Sequence, residues 1–231
     1  MEFVCELREK MTYQHQYKHK GNVNLPVGKV VCIGRNYADH ALELDNPVPD
    51  EPVLFIKPAT AVVSASEDLI LPTRFTPIHY EAELSVLIGE TLCCASEEQA
   101  RSAIAGIGVG LDLTRREIQS ELKNKQLPWE LSKAFDGSCA LSPFLESDGI
   151  DLAHCRYGLD INGAERQQGN TEMMLTPVMA LICHISQFFT LQPGDVVLTG
   201  TPKGVGVLND GDTLTLRFAD EPLAQCQCIS D

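Results

Sequence analysis

The pattern of this 231-residue chain predicts a β-rich α+β domain. The strand-like runs are short, turn signals separate them, and only three or four helical stretches lie among them. A doubly wound sheet would instead alternate strands with long helices. No internal repeat or low-complexity linker divides the chain. The expected organisation is an arm over residues 1–24, one domain over 25–220 and a tail over 221–231.

The first 24 residues are polar and rich in His, Lys and Gln, which suits an arm or a short edge element. Lys29–Ile33 is a strand ending at Gly34. Arg35-Asn36-Tyr37 forms a loop, followed by a short helix from Ala38 to about Leu44. Asn46 to Pro52 is a turn-rich connector, and Val53–Ile56 and Leu69–Leu71 are short strands. Leu84–Ile88 is apolar and branched, as a strand should be. Ser96 with Gln99 makes a capping box that opens a helix to about Ile104. Ala105–Leu113 is a second buried strand. Its glycines at 106, 108 and 110 lie inside the strand and after a helix, whereas a dinucleotide loop follows a strand and opens a helix. Thr114 with Glu117 makes another capping box, for a helix towards Lys125 that ends before Pro128. Thr176-Pro177 starts a further helix with proline at its first position. Val178, Leu181, Ile182, Ile185, Phe188 and Phe189 mark its apolar face. Asp195–Thr199 is a strand, Asn209–Asp212 a turn, and Thr213–Phe218 an alternating strand.

The net charge of −14 argues against nucleic acid and anionic membrane surfaces as partners. An anionic substrate would need local positive charge, for which Arg35, Lys57, Arg116 and Lys133 are candidates. The nine cysteines are odd in number, scattered and without a Cys-x-x-Cys pair, which suits a reduced cytoplasm better than a disulfide framework. The charged stretch Glu2–Lys10 is no signal peptide, and no apolar run reaches membrane-spanning length. The expectation is a soluble, cytoplasmic protein.

In His79-Tyr80-Glu81-Ala82-Glu83, residues two apart share a face, so Glu81 and Glu83 point the same way. Two such carboxylates either edge a solvated strand or share a hard divalent cation: Mg²⁺, Mn²⁺ or Ca²⁺. Asp112 is the lone charge in the second buried strand and needs a partner there. The three acids together would leave about half of an octahedral shell for substrate and water. His79 shares their face but is left out of an all-oxygen set. His40 and Glu43, three apart on a helix, are either an ordinary exposed pair or an imidazole oriented by a carboxylate as a general base.

Taken in order, the motifs resemble the fumarylacetoacetate hydrolase family. They are Gly34-Arg35-Asn36-Tyr37 with His40 and Glu43, Phe55-Ile56-Lys57-Pro58, His79 to Glu83, Gly110 to Thr114, Lys133 to Asp136, Asn162-Gly163 with Arg166-Gln167, and Thr199 to Gly206. The likeness runs from about residue 28 to 218 and is greatest to the short members acting on acylpyruvates and oxaloacetate. It implies a mixed β-roll with a few peripheral helices, in a homodimer. It also implies a Mg²⁺ or Mn²⁺ site at Glu81, Glu83 and Asp112, a water-activating dyad of His40 and Glu43, and Lys133 as a substrate-side cation. Arg35, Asn36, Gln119 and Thr201 would line the pocket, while Trp129 is expected in core or interface. The segment 221–231 does not look like the family's usual last strand.

The implied substrate is a small anionic 2-oxo acid. The leading expectation is a hydrolase that cleaves a C–C bond in acylpyruvate-like 2,4-dioxo acids through a metal-bound enolate. Oxaloacetate decarboxylation and keto–enol tautomerisation reach the same enolate and stay open as alternatives. A metal-binding protein without catalysis would need none of His40, Glu43 and Lys133.

Overall fold

The computed structural model describes residues 13–43 and 47–231. Residues 1–12, the first half of the expected arm with the stretch Glu2–Lys10, lie outside the described residues, as do Leu44 at the end of its expected helix and Asn46. In chain order the strands begin with β1 (Gln16–Tyr17), β2 (Gly21–Asn22), β3 (Val30–Gly34), β4 (Val53–Lys57), β5 (Val62–Ser64) and β6 (Leu69–Leu71). Next come β7 (His79–Tyr80), β8 (Ala82–Ile88), β9 (Ile104–Asp112), β10 (Cys139–Leu141), β11 (Leu145–Glu146) and β12 (Arg156–Ile161). The last are β13 (Ala164–Asn170), β14 (Val196–Leu198), β15 (Gly206–Val207), β16 (Thr213–Phe218) and β17 (Glu221–Ser230).

The class is β-rich α+β, as expected. A mixed eight-stranded sheet runs β4-β3-β14-β8-β9-β10-β5, with β11 also on β9, and a five-stranded sheet runs β13-β12-β16-β17-β6. Their inner faces share one apolar core, with Leu84 and Val86 of β8 and Val109 and Leu111 of β9 against Leu159 of β12 and Leu216 of β16. The other face of the larger sheet packs a second cluster around Cys32, Cys139, Leu141, Phe144 and Leu198.

That second face explains the glycines of β9. A Cβ on Gly110 would meet Leu198 Cδ2 at 2.8 Å and Leu141 Cδ2 at 2.9 Å, so the alternate residues of β9 must lack side chains for the two layers to close. Residues 13–24 are an edge element. β1 and β2 pair, Phe144 donates its amide to Gln16 O at 2.7 Å, and the His15 ring is buried against Gly194 O at 3.0 Å.

Four expectations are corrected. Residues 221–231 are no tail, because β17 pairs antiparallel with β16 and parallel with β6. Its period-two pattern explains this: Ala224, Cys226 and Cys228 face the core while Gln225 and Gln227 face out. The capping box at Ser96 forms, with both reciprocal bonds to Gln99. The one at Thr114 does not, because its hydroxyl donates to Asp112 O at 3.1 Å and accepts from Lys133 Nζ at 2.7 Å, and the helix Arg116–Asn124 starts uncapped. Pro177 is the cap of the helix Val178–Phe188, not its first residue, and extended backbone there precedes the first turn. Phe188 on the expected apolar face is exposed.

Candidate active site

The register of β7, β8 and β9 builds the floor of the site. Glu81 lies in the one-residue break between β7 and β8, and its carbonyl accepts the Asp112 amide at 2.8 Å. Glu83 sits opposite Gly110, two residues before Asp112. Carboxylate oxygens of Glu81, Glu83 and Asp112, all buried, lie within 4.8 Å of one another. Glu83 Oε2 accepts the Gly200 amide at 2.6 Å. Gly200 has φ +97°, and a Cβ there would come within 2.7 Å of Asn36 Cβ, so only glycine brings this amide to the carboxylate.

Three buried or half-buried cations answer the three acids. Lys133, on the short helix Glu130–Lys133, places its ammonium 2.7 Å from Glu81 Oε2 and 2.6 Å from Asp112 Oδ2. Lys57, at the end of β4, donates to Ser138 O at 3.0 Å and to the Lys133 carbonyl. Its ammonium also lies 2.8 Å from Asp112 Oδ1, as an ion pair off the line of a hydrogen bond. Arg116 pairs through Nη2 with Glu81 and donates through Nη1 to Gln119 Oε1 at 2.8 Å.

These contacts set the charges. Burial alone would raise the Glu81 pKa, but Lys133 and Arg116 outweigh it and hold the carboxyl well below the usual range. Burial and the neighbouring charges of Asp112 and Glu81 push Glu83 well above it. Burial works against the Lys133 ammonium, yet Asp112 and Glu81 raise its pKa overall.

The rim comes from the helix Ala38–Glu43. His40 is buried and its Nδ1 lies 3.3 Å from Glu43 Oε2. Glu43 in turn accepts the Gly204 amide, at 3.0 Å to Oε1. Burial lowers the His40 pKa more than Glu81 and Glu43 raise it, so the ring is neutral near pH 7.

One cavity of about 30 Å³ joins floor and rim. Arg35, His40, Glu81, Glu83, Asp112, Gln119, Lys133 and Thr201 all line it. Asn36 does not, because its amide is spent on the backbone: Oδ1 accepts from Thr176 N at 2.8 Å, and Nδ2 donates to Thr176 O and Thr199 O. Asn36 therefore braces the loop rather than facing a substrate. Thr201 reaches the cavity with its hydroxyl proton already given to Ala82 O at 2.9 Å.

A model described as fumarylacetoacetate (FAA) hydrolase C-terminal matches residues 29–228. This chain belongs to the fumarylacetoacetate hydrolase family. It is 50% identical over 208 residues to the oxaloacetate tautomerase YcgM of Escherichia coli K12, covering 89% of this chain and 95% of that one. A solved structure of a protein from Yersinia pestis CO92 superposes with a TM-score of 0.91 at 46% identity, over 94% of this chain and 100% of that chain. The fumarylpyruvate hydrolase of Pseudomonas aeruginosa, solved with Mn²⁺ and pyruvate, superposes with a TM-score of 0.88 at 33% identity, covering 96% and 97%.

The family's chemistry calls for a divalent metal, and the residues fit one. The donors are three buried carboxylates within 4.8 Å of one another. An all-oxygen set suits a hard cation. Their mutual repulsion, visible in the raised Glu83, is what such a cation would relieve.

Several residues of the site were legible only in part. Lys57 is a charge ending the apolar run Val53–Ile56, so the argument that found Asp112 applies to it too. Trp129 was expected in core or interface but lines the cavity, with its ring 6.1 Å from that of Phe55. Gln167 ties β13 to the floor, accepting from Ala82 N at 2.8 Å and donating to Thr201 Oγ1 at 2.8 Å. Its only sequence signal was the Arg166-Gln167 motif. Lys123 gave no signal, since a lysine on a polar helix face reads as solvated.

Proposed function

We propose that this family member is a divalent-metal-dependent oxaloacetate tautomerase, moving a proton between C3 and the C2 oxygen of a 2-oxo dicarboxylic acid. The observation that carries this reading is the charge count of the floor. Glu81, Glu83 and Asp112 face Lys57, Lys133 and Arg116, so a bound divalent cation would leave two positive charges for a dianionic substrate. The 50% identity to an oxaloacetate tautomerase supports it.

Glu81, Glu83 and Asp112 would hold Mg²⁺, or Mn²⁺ in its place, which supplies Lewis acidity toward the oxygens of the 2-oxo acid. Lys133 stays protonated beside Asp112 and Glu81, so it stabilises negative charge growing on the C2 oxygen rather than acting as a base. His40 is the base. With Nδ1 tied to Glu43, its Nε2 takes the C3 proton, the C–H electron pair forms the C2–C3 double bond, the carbonyl pair moves onto the C2 oxygen, and that oxygen takes a proton from a water which the protonated His40 then restores. Ketonisation runs the same transfers backwards. Arg35, Gln119 and Thr201 line the pocket. The assembly we assign is a homodimer in a reducing cytoplasm, which rests on the family likeness and the cysteine pattern.

A second reading, hydrolysis of acylpyruvates, is favoured by the same dyad, which could activate water, and by the likeness to a fumarylpyruvate hydrolase. The deciding experiment follows the fading of enol absorbance after enol-oxaloacetate is mixed with protein, with and without Mg²⁺. Acceleration that chelation abolishes and Mg²⁺ restores is expected. No acceleration, together with pyruvate release from an acylpyruvate, would move the assignment to the hydrolase.

A further inference from the structure

Lys123 differs from every other lysine among the described residues. Lys18, Lys20, Lys29, Lys57, Lys125, Lys133 and Lys203 each have an oxygen of this chain within reach of their ammonium. Lys123 has none among the described residues; its ammonium lies over the Trp129 ring, 5.1 Å from the centroid. It is half-buried and lines the same cavity as the carboxylate floor. The cations around it are Arg35, Arg116 and Lys133, and burial together with their repulsion lowers its pKa to about 8.

The helix Arg116–Asn124 explains the placement. Arg116, Gln119 and Lys123 are spaced three and four apart, so they share one face, and all three line the cavity. Arg116 grips Glu81 at the floor, and Lys123 stands about 10 Å further along the helix axis. A half-buried cation held among cations and on an aromatic face, with only the more distant pull of Glu81 and no carboxylate in contact among the described residues, is stabilised by an anion that arrives from outside.

We infer that Lys123 is the specificity-determining cation of the site, which receives the second carboxylate of a 2-oxo dicarboxylic acid while the Trp129 face holds its ammonium in place. The inference rests on the reading that the floor binds the 2-oxo acid end. It makes the second carboxylate, not the 2-oxo group, the part of the ligand that Lys123 selects.

The only tryptophan of the chain is the one beneath this ammonium, so its fluorescence reports binding without turnover. Titrations of Mg²⁺-loaded protein with oxaloacetate and with pyruvate isolate the second carboxylate. The wild type should bind oxaloacetate about 10- to 100-fold more tightly, as expected for one charge-assisted contact. In Lys123→Met the ratio should fall close to one with pyruvate affinity kept within about twofold, which also shows that the site is still folded; Lys123→Arg should restore most of the preference. A wild type without preference for oxaloacetate, or a Lys123→Met variant that keeps it, overturns the inference. A wild type that shows the preference but does not speed enol fading would instead overturn the tautomerase reading and leave Lys123 its role.

Discussion

On the floor of the site each cation has an anion of this chain against it: Lys133 lies between Glu81 and Asp112, Lys57 beside Asp112, and Arg116 on Glu81. At the rim, Lys123 rests on an indole, and His40 is kept neutral by burial although carboxylates stand near it. Strand register sets the three carboxylates of the floor, and the cations paired with them, two of these on helices, make its charges depend on one another. Short helices set the rim, and each of its groups can change alone. Substitutions on the floor should therefore cost folding and function together, whereas rim substitutions should cost function only.

Asp112→Ala should have the largest effect. It leaves the ammoniums of Lys57 and Lys133 buried without their shared carboxylate. Breaking a buried ion pair from one side costs about 3–5 kcal/mol. Turnover and Mg²⁺ binding should vanish, and thermal unfolding should shift down clearly. Calorimetry with Mg²⁺ and a melting curve on the same sample test both halves. A variant that loses metal binding with an unchanged melting temperature would mean that the floor cations rearrange freely, and the contrast with the rim would fail.

His40→Ala is the rim counterpart. Loss of a general base should lower turnover by a factor on the order of 10² or more. The melting temperature should move little, since among the described residues the ring's side-chain bond is one contact of 3.3 Å to Glu43. The pH profile gives the sign. A buried imidazole whose pKa is lowered below 6.5 stays competent as a base down to that lowered value, and rate should fall only as pH drops through it. A rate–pH profile that breaks above 6.5 would assign the limiting titration to another group.

Glu83→Gln should act in the opposite sense to Asp112→Ala in the metal-free protein. The folded pKa of Glu83 is raised, so above about 4.5 the unfolded chain has released a proton that the folded one retains. Stability from this group is present below that pH and is lost as pH rises towards the folded pKa. Glutamine removes the dependence, so the variant should melt higher than metal-free wild type near neutral pH, and should no longer gain from Mg²⁺. Melting curves across pH, with chelator throughout, carry the test. A lower melting temperature would show that the Gly200 amide needs a full negative charge.

How much was legible follows from which forces act locally. Asp112 stood out because a charge inside Ala105–Leu113 contradicts its neighbours, and Glu81 with Glu83 because a strand repeats every two residues. Their nearness in space, 4.8 Å at most, depends on the pairing of β8 with β9, which no local pattern fixes. β17 carried a clear period-two signal in Ala224, Cys226 and Cys228, but two cysteines and a proline masked it. The hairpin of β12 and β13 is too polar on its outer strand to show any apolar alternation. Lys123 was illegible because its significance is that no oxygen among the described residues pairs with its ammonium, which only a folded chain reveals.

The smallest expected effects come from two sites with one sequence signature. Ser96 and Thr114 each precede a helix by the spacing of a capping box, yet only Ser96 accepts the amide three residues on, from Gln99 at 3.3 Å. Ser96→Ala should cost about 1 kcal/mol, the usual price of an N-cap, and leave turnover unchanged. Thr114→Ala removes no cap. It deletes the hydroxyl that accepts from Lys133 at 2.7 Å, so its cost should fall on turnover, with little change in the stability of the helix that follows. Melting curves and enol-fading rates on the two variants should separate cleanly, stability for Ser96 and rate for Thr114. A Thr114 variant that lost stability and kept its rate would return that residue to the capping role its sequence suggests, and would remove one of the three oxygens that hold the Lys133 ammonium from any part in the chemistry.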